Sequence, residues 1–172
     1  MISTWGTSTV NFDIDTGTLT VFAGTMGVYD VHNQYLSTDK KINKASVKKI
    51  IFKDGVKAPA NSRMLFSVNN FKSLIDFEGT FDTSDVTTML SMFDQCKAPY
   101  LDVSNWDTTN VVNMYGVFSS TQFTSLDVKK WNTANVSDMS FMFYKSKLTS
   151  LDAGSWNTTN LLNMREIFEQ SQ

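Results

Sequence analysis

Residues 98–172 spell one pattern three times, and the interval between copies limits the possible folds more than any other feature. The copies read Ala98-Pro-Tyr-Leu101-Asp-Val103-Ser-Asn-Trp106, Phe123-Thr-Ser-Leu126-Asp-Val128-Lys-Lys-Trp131 and Leu148-Thr-Ser-Leu151-Asp-Ala153-Gly-Ser-Trp156. Each runs on into Asp/Asn-Thr-x-Asn-Val/Leu-x-x-Met-x-x-x-Phe, and the tryptophans recur every 25 residues. A unit of that length cannot bury its apolar side chains alone, so successive units must stack and share a core. Weaker starts at Phe71 and Val47 extend the array upstream; Phe81 takes the Trp position, and Val47, Ile50 and Phe52 keep the leading apolar spacing.

Within a copy, Leu126 and Val128 alternate with Ser125, Asp127 and Lys129, the period of a short strand. Val136, Met139 and Phe143 then fall at i, i+3 and i+7, the spacing of one helix face, after a capping Thr133-Ala-Asn135. The equivalent trios are Val86/Met89/Phe93, Val111/Met114/Phe118 and Leu161/Met164/Phe168. The expected fold is therefore an α/β leucine-rich-repeat solenoid, with short parallel strands on the concave face and short helices on the convex face. Its Met, Phe and Trp columns are expected to be core.

Residues 1–46 carry no copy. Val10, Phe12 and Ile14, then Leu19, Val21 and Ala23, alternate around Asp15-Thr-Gly17, which predicts a β-hairpin serving as an N-terminal β cap. The expected organisation is a cap over 1–46 and the repeat array over 47–172, one continuous unit. The chain opens Met-Ile-Ser-Thr-Trp without a secretion signal and stops just past a repeat, which suggests a piece excised from a longer protein.

Asp13-x-Asp15-x-Gly17 lacks the downstream Glu of a calcium loop and fits turn chemistry better. His32 and Cys96 have no companion ligands or bases, so neither makes a metal or catalytic site; Cys96 aligns with Thr121 and Ser146 as a small residue under a turn. Lys40, Lys41, Lys44, Lys48, Lys49, Lys53 and Lys57 form a basic run, expected to be a solvated strand edge, with a polyanion-binding patch as the alternative. The formal net charge of −2 gives no general pull toward nucleic acid. No apolar run is long enough to span a membrane.

Stacking the copies aligns Tyr100/Ser125/Ser150, Asp102/Asp127/Asp152 and Ser104/Lys129/Gly154 in columns on the concave face. Tyr100, Asp102, Ser104, Ser125, Asp127, Lys129, Ser150 and Asp152 are the candidate ligand-binding residues. The carboxylates, one strand spacing of roughly 4.8 Å apart, either fix turns by accepting local hydrogen bonds or form a ladder for a ligand or a cation. Acid and base roles need carboxylates in unlike environments, which a register ladder does not provide, so no catalytic residue, metal or cofactor is expected.

With these residues in view, Leu101-Asp-Val-Ser-Asn-Trp106-Asp-Thr-Thr-Asn-Val-Val-Asn-Met114-x-x-Val-Phe118 resembles the BspA-type leucine-rich repeat of bacterial surface proteins, whose consensus is similar to L-D-x-S-x-W/F-D-T-S-N-V-T-N-M-x-x-M-F. The likeness covers about residues 62–172, and Trp5-Gly-Thr with Asp15-x-Gly17-Thr-Leu19-Thr is similar to a segment that often precedes such repeats in lactobacilli and their relatives. The resemblance implies a secreted or cell-surface protein of a Gram-positive bacterium, acting in adhesion by binding an extracellular protein or glycan of host matrix, mucin or other cells. It carries over no functional residue. Ser, Thr and Asn supply 53 residues, a polar uncharged surface that suits such a setting. The function expected is a non-catalytic binding module, favoured as a monomer, with no nucleic-acid partner and no membrane insertion. A structural spacer holding another domain away from the wall is the alternative; a glycan-active enzyme is the weakest reading.

Overall fold

A computed structural model describes residues 1–171; the last position of the expected repeat array, Gln172, lies outside the described residues. Seven strands form: β1 (Ile2–Trp5), β2 (Ser8–Asp13), β3 (Thr18–Val21), β4 (Gly24–Thr25), β5 (Lys49–Phe52), β6 (Val56–Lys57) and β7 (Asp76–Glu78). Strict alternation decides β2, where Ser8, Val10 and Phe12 are buried and their neighbours exposed. β2 and β3 pair antiparallel across a turn in which Gly17 takes φ 72° and the Asp13 carboxylate accepts the Asp15 N–H at 3.0 Å.

The sheet does not stop at that hairpin. Its order is β1-β2-β3-β5-β7, antiparallel through β3 and parallel from β3 to β7, with Leu19, Ile50 and Phe77 in register. β4 and β6 make a second, two-stranded parallel sheet. The lysine-bearing β5 is therefore an interior strand and not a solvated edge; Lys49 pairs with Asp76 at 3.2 Å and Glu78 at 2.9 Å on β7.

The expected α/β leucine-rich-repeat solenoid is overturned by the backbone of the repeats. Among the described residues there is no α-helix, and the one helical element is a 3-10 turn over Lys44–Ser46. There is no convex helical layer, and what was expected as a hairpin cap is the first part of a five-stranded mixed sheet. Leucine-rich repeat and solenoid are accordingly the wrong terms for this chain.

Hydrogen bonding explains why the helices do not form. In an α-helix each N–H returns to its own chain four residues back. Here Met114, Gly116, Phe118 and Ser120 donate instead to Asp138, Ser140, Met142 and Tyr144 of the next copy, at 2.7 to 2.9 Å. Met139, Phe141, Phe143 and Lys145 repeat this onto Asn163, Arg165, Ile167 and Glu169. The intervening N–H groups close tight turns, such as Val117 to Met114 and Ser119 to Gly116. Left-handed residues sit within the stretch at matching places: Ser91, Gly116, Phe141 and Glu166, and four positions on Gln95, Ser120, Lys145 and Gln170. Each such residue breaks a right-handed helix.

The i, i+3, i+7 trios still point inward, because tight turns return the same residues to one side. Val86, Met89, Phe93, Val111, Met114, Phe118, Val136, Met139 and Phe143 are all buried. Phe66, Phe93, Phe118, Phe143 and Phe168 stack in one column, with successive centroids 5.4, 5.7, 5.8 and 5.4 Å apart. Trp106 and Trp131 stack beside it at 5.9 Å. Single parallel bridges join Asn61, Thr88, Asn113, Asp138 and Asn163 in series.

Candidate functional site

The segments bearing Leu101, Leu126 and Leu151 are not strands either. Local side-chain bonds displace the ladder there. The Asp102 carboxylate accepts the Ser104 N–H at 3.0 Å and its hydroxyl at 2.6 Å. Asp127 accepts the Lys129 N–H and Asp152 the Gly154 N–H, both at 3.2 Å. One oxygen of each Asp thus fixes a turn. The Ser104 hydroxyl and N–H hold the Asp102 carboxyl below the usual carboxylate range.

These turns shape an open groove of about 420 Å³. Tyr100, Asp102, Ser125, Asp127, Lys129, Ser150 and Asp152 line it, with Leu101, Val103, Leu126 and Val128 completing its lining. Seven of the eight candidate ligand-binding residues therefore share one groove, and Ser104 is tied to it through Asp102. Tyr100 is 58% exposed, an aromatic surface at one end. Lys129 and Asp152 approach to 3.6 Å, an exposed pair of small energetic weight. The groove can offer hydroxyls, carboxylate oxygens, one ammonium and an aromatic ring to a ligand.

The other repeated polar residues hold the copies together. Buried Thr83, Thr108 and Thr133 donate their hydroxyls to the carbonyls of Asp107, Asn132 and Asn157 in the following copy, each at 2.9 Å. Asn110, Asn135 and Asn160 donate to Ser84, Thr109 and Ala134 in the preceding one, at 2.7 to 2.9 Å. Thr133, expected as a helix cap, instead bridges two copies. The Trp131 indole N–H reaches the Val103 carbonyl at 3.1 Å. Cys96 is buried, and desolvation pushes its thiol up to about 11.

Among the described residues no group of three or more His, Cys, Asp or Glu side chains is placed to hold a metal ion, and no helix is long and apolar enough to cross a membrane. A second cavity, of about 360 Å³, opens beside the 3-10 turn and is lined by Asp30, His32, Asn33, Lys44, Asn70 and Lys72 among others. Repeat spacing gives no sign of it, because non-repeating loops build most of its wall. Lys44, expected on a solvated edge, is only 7% exposed.

The molecule is thus a repeat-built scaffold whose copies are tied by backbone bonds and whose side-chain turns frame a polar groove. The chain belongs to the family described as "Mycoplasma protein of unknown function, DUF285", whose model matches residues 60–172. No curated protein and no solved structure matches the chain.

Proposed function

We propose that this chain is a non-catalytic binding module, secreted or held at a bacterial surface, that recognises an extracellular protein or glycan through the groove between Tyr100 and Asp152. The observation that supports this reading is the gathering of Tyr100, Asp102, Ser125, Asp127, Lys129, Ser150 and Asp152 from three successive copies into one open groove. An aromatic ring beside rows of hydroxyls and carboxylate oxygens suits a ligand that is itself rich in hydroxyls or amides. The likeness of Leu101 to Phe118 to the BspA-type surface proteins supports the same setting. The carboxylates of Asp102, Asp127 and Asp152 each accept a turn N–H, so one oxygen of each is engaged in holding the backbone that frames the groove.

The test is a screen of the chain against glycan and matrix-protein arrays, followed by the same screen with Tyr100→Ala and Asp127→Ala. The expected result is a ligand whose binding falls at least tenfold in either variant. A chain that binds nothing on either array would be a spacer. Hydrolysis of an arrayed glycan, lost in Asp127→Asn, would make it an enzyme.

A further inference from the structure

The last described layer repeats the polar and apolar features of the layers before it without their cover. Inside the stack, the N–H groups of Met114, Gly116, Phe118 and Ser120 donate to the next copy, and those of Met139, Phe141, Phe143 and Lys145 do the same. The matching N–H groups of Met164, Glu166, Phe168 and Gln170 have no acceptor among the described residues. They recur at every second residue, a row of donors on the side that earlier copies turn to their successor. The apolar groups follow the same rule. Met164 and Phe168 are 59% and 52% exposed, where Met139 and Phe143 are 1% and 0% exposed. Leu151, Trp156, Leu161 and Ile167 are only partly buried. Phe168 lies flat on Phe143, with centroids 5.4 Å and planes 5° apart, so its other face is where the next ring of the column would rest.

An apolar face by itself accepts many partners; the donor row narrows the choice. A second copy of this chain docked end on end sets donors against donors and leaves both rows unpaired. The opposite end of the stack does not fit either. There the Leu65 carbonyl already accepts the Asn70 side-chain amide and the Ser67 carbonyl the Asn70 and Phe71 N–H groups, while β3 and β4 pair with β5 and β6. What fits is what fits inside the stack. In residues 123–147 the carbonyls of Asp138, Ser140, Met142 and Tyr144 accept the four N–H groups of the preceding copy at 2.7 to 2.9 Å, and the Phe143 ring stacks 5.8 Å from Phe118.

We propose that this end face is an interaction surface for a second polypeptide carrying the same 25-residue pattern, one unit of which adds to the stack as its next layer. Its alternate carbonyls accept the Met164, Glu166, Phe168 and Gln170 N–H groups, and its Met and Phe cover Met164 and Phe168. Backbone register supplies the recognition, as when a strand is added to an open sheet edge, and the Met and Phe columns select the pattern. The incoming unit becomes ordered as it docks, which keeps the affinity modest. The surface is separate from the groove, so the two readings stand or fall independently.

Fluorescence anisotropy of the full chain with labelled peptides tests this. The peptides are residues 123–147, residues 98–147, which supply two units, and a scrambled 123–147. At least one repeat peptide binds with a Kd below about 1 mM, and the scrambled peptide binds at least tenfold more weakly. Binding slows amide exchange at Met164, Glu166 and Phe168 at least tenfold, which locates the contact on the end face. Phe168→Asp and Met164→Asp each weaken binding at least tenfold; both side chains are exposed, and either variant serves should the other fail to fold. Equal binding of the scrambled peptide, unchanged exchange at those three amides, unchanged affinity in a folded Asp variant, self-association of the chain that protects the same amides, or no binding of either repeat peptide below about 1 mM would each overturn the proposal.

Discussion

Asp102 shows how much one side chain does in these turns. Its carboxylate holds the Ser104 N–H and hydroxyl, and those bonds favour the ionised form. A carboxylate whose folded pKa lies below its unfolded value stabilises the fold at pH above the unfolded value, near about 3.9, and that contribution is lost as pH falls through the folded pKa. Ser104→Ala removes the hydroxyl donor, so the Asp102 pKa moves up toward the usual carboxylate range, which a carboxyl-carbon NMR titration reads directly. The Leu-Asp-x motif could be read as either turn or ligand ladder, because spacing alone does not say where a carboxylate's second oxygen points. Lys44 was less legible: seven lysines between Lys40 and Lys57 look like a solvated run, and only the tertiary fold decides which of them is buried.

At the level of elements, the trio spacing led to helices that the chain does not make. The i, i+3, i+7 pattern records which side chains face one side, and consecutive tight turns satisfy it as well as a helix does. What decides between them is where the N–H groups go, and a sequence read one copy at a time does not contain the neighbouring carbonyls that receive them. Far-UV circular dichroism of the chain will lack the paired minima of an α-helix; a helical spectrum accounting for 30 or more residues, about what four two-turn helices would give, would contradict the turn assignment. Gly116 is the one left-handed position in its column that has glycine, at φ 59°. Gly116→Val places a β-branched residue there and is expected to cost about 1–2 kcal/mol in urea denaturation. At Ser91, in the same place of the preceding copy, Ser91→Gly relieves the strain and moves the urea midpoint upward.

Across the whole molecule, the Phe column and the copy-to-copy backbone bonds make each layer the lid of the one before. The last described layer has no such lid among the described residues: Met164 and Phe168 are 59% and 52% exposed, where their counterparts Met114, Phe118, Met139 and Phe143 are buried. Stability is therefore graded along the stack. Hydrogen exchange of the chain is expected to be slowest at Met114, Phe118, Met139 and Phe143 and fastest at Met164, Glu166 and Phe168, whose N–H groups have no acceptor among the described residues. Uniform protection across these seven amides would contradict that gradient. The amino-acid sequence by itself determined the 25-residue interval, the inward set of Val, Met, Phe and Trp, and the alternation of β2 and β3, since each is a property of side-chain spacing along one chain. Tertiary structure alone decided that the hairpin grows into a mixed sheet through β5 and β7, that alternate N–H groups leave their own copy for the next, and that Lys44 and Asn70 meet in one cavity. Those outcomes depend on which backbone and polar groups from distant residues come together, and spacing within a repeat carries no record of that.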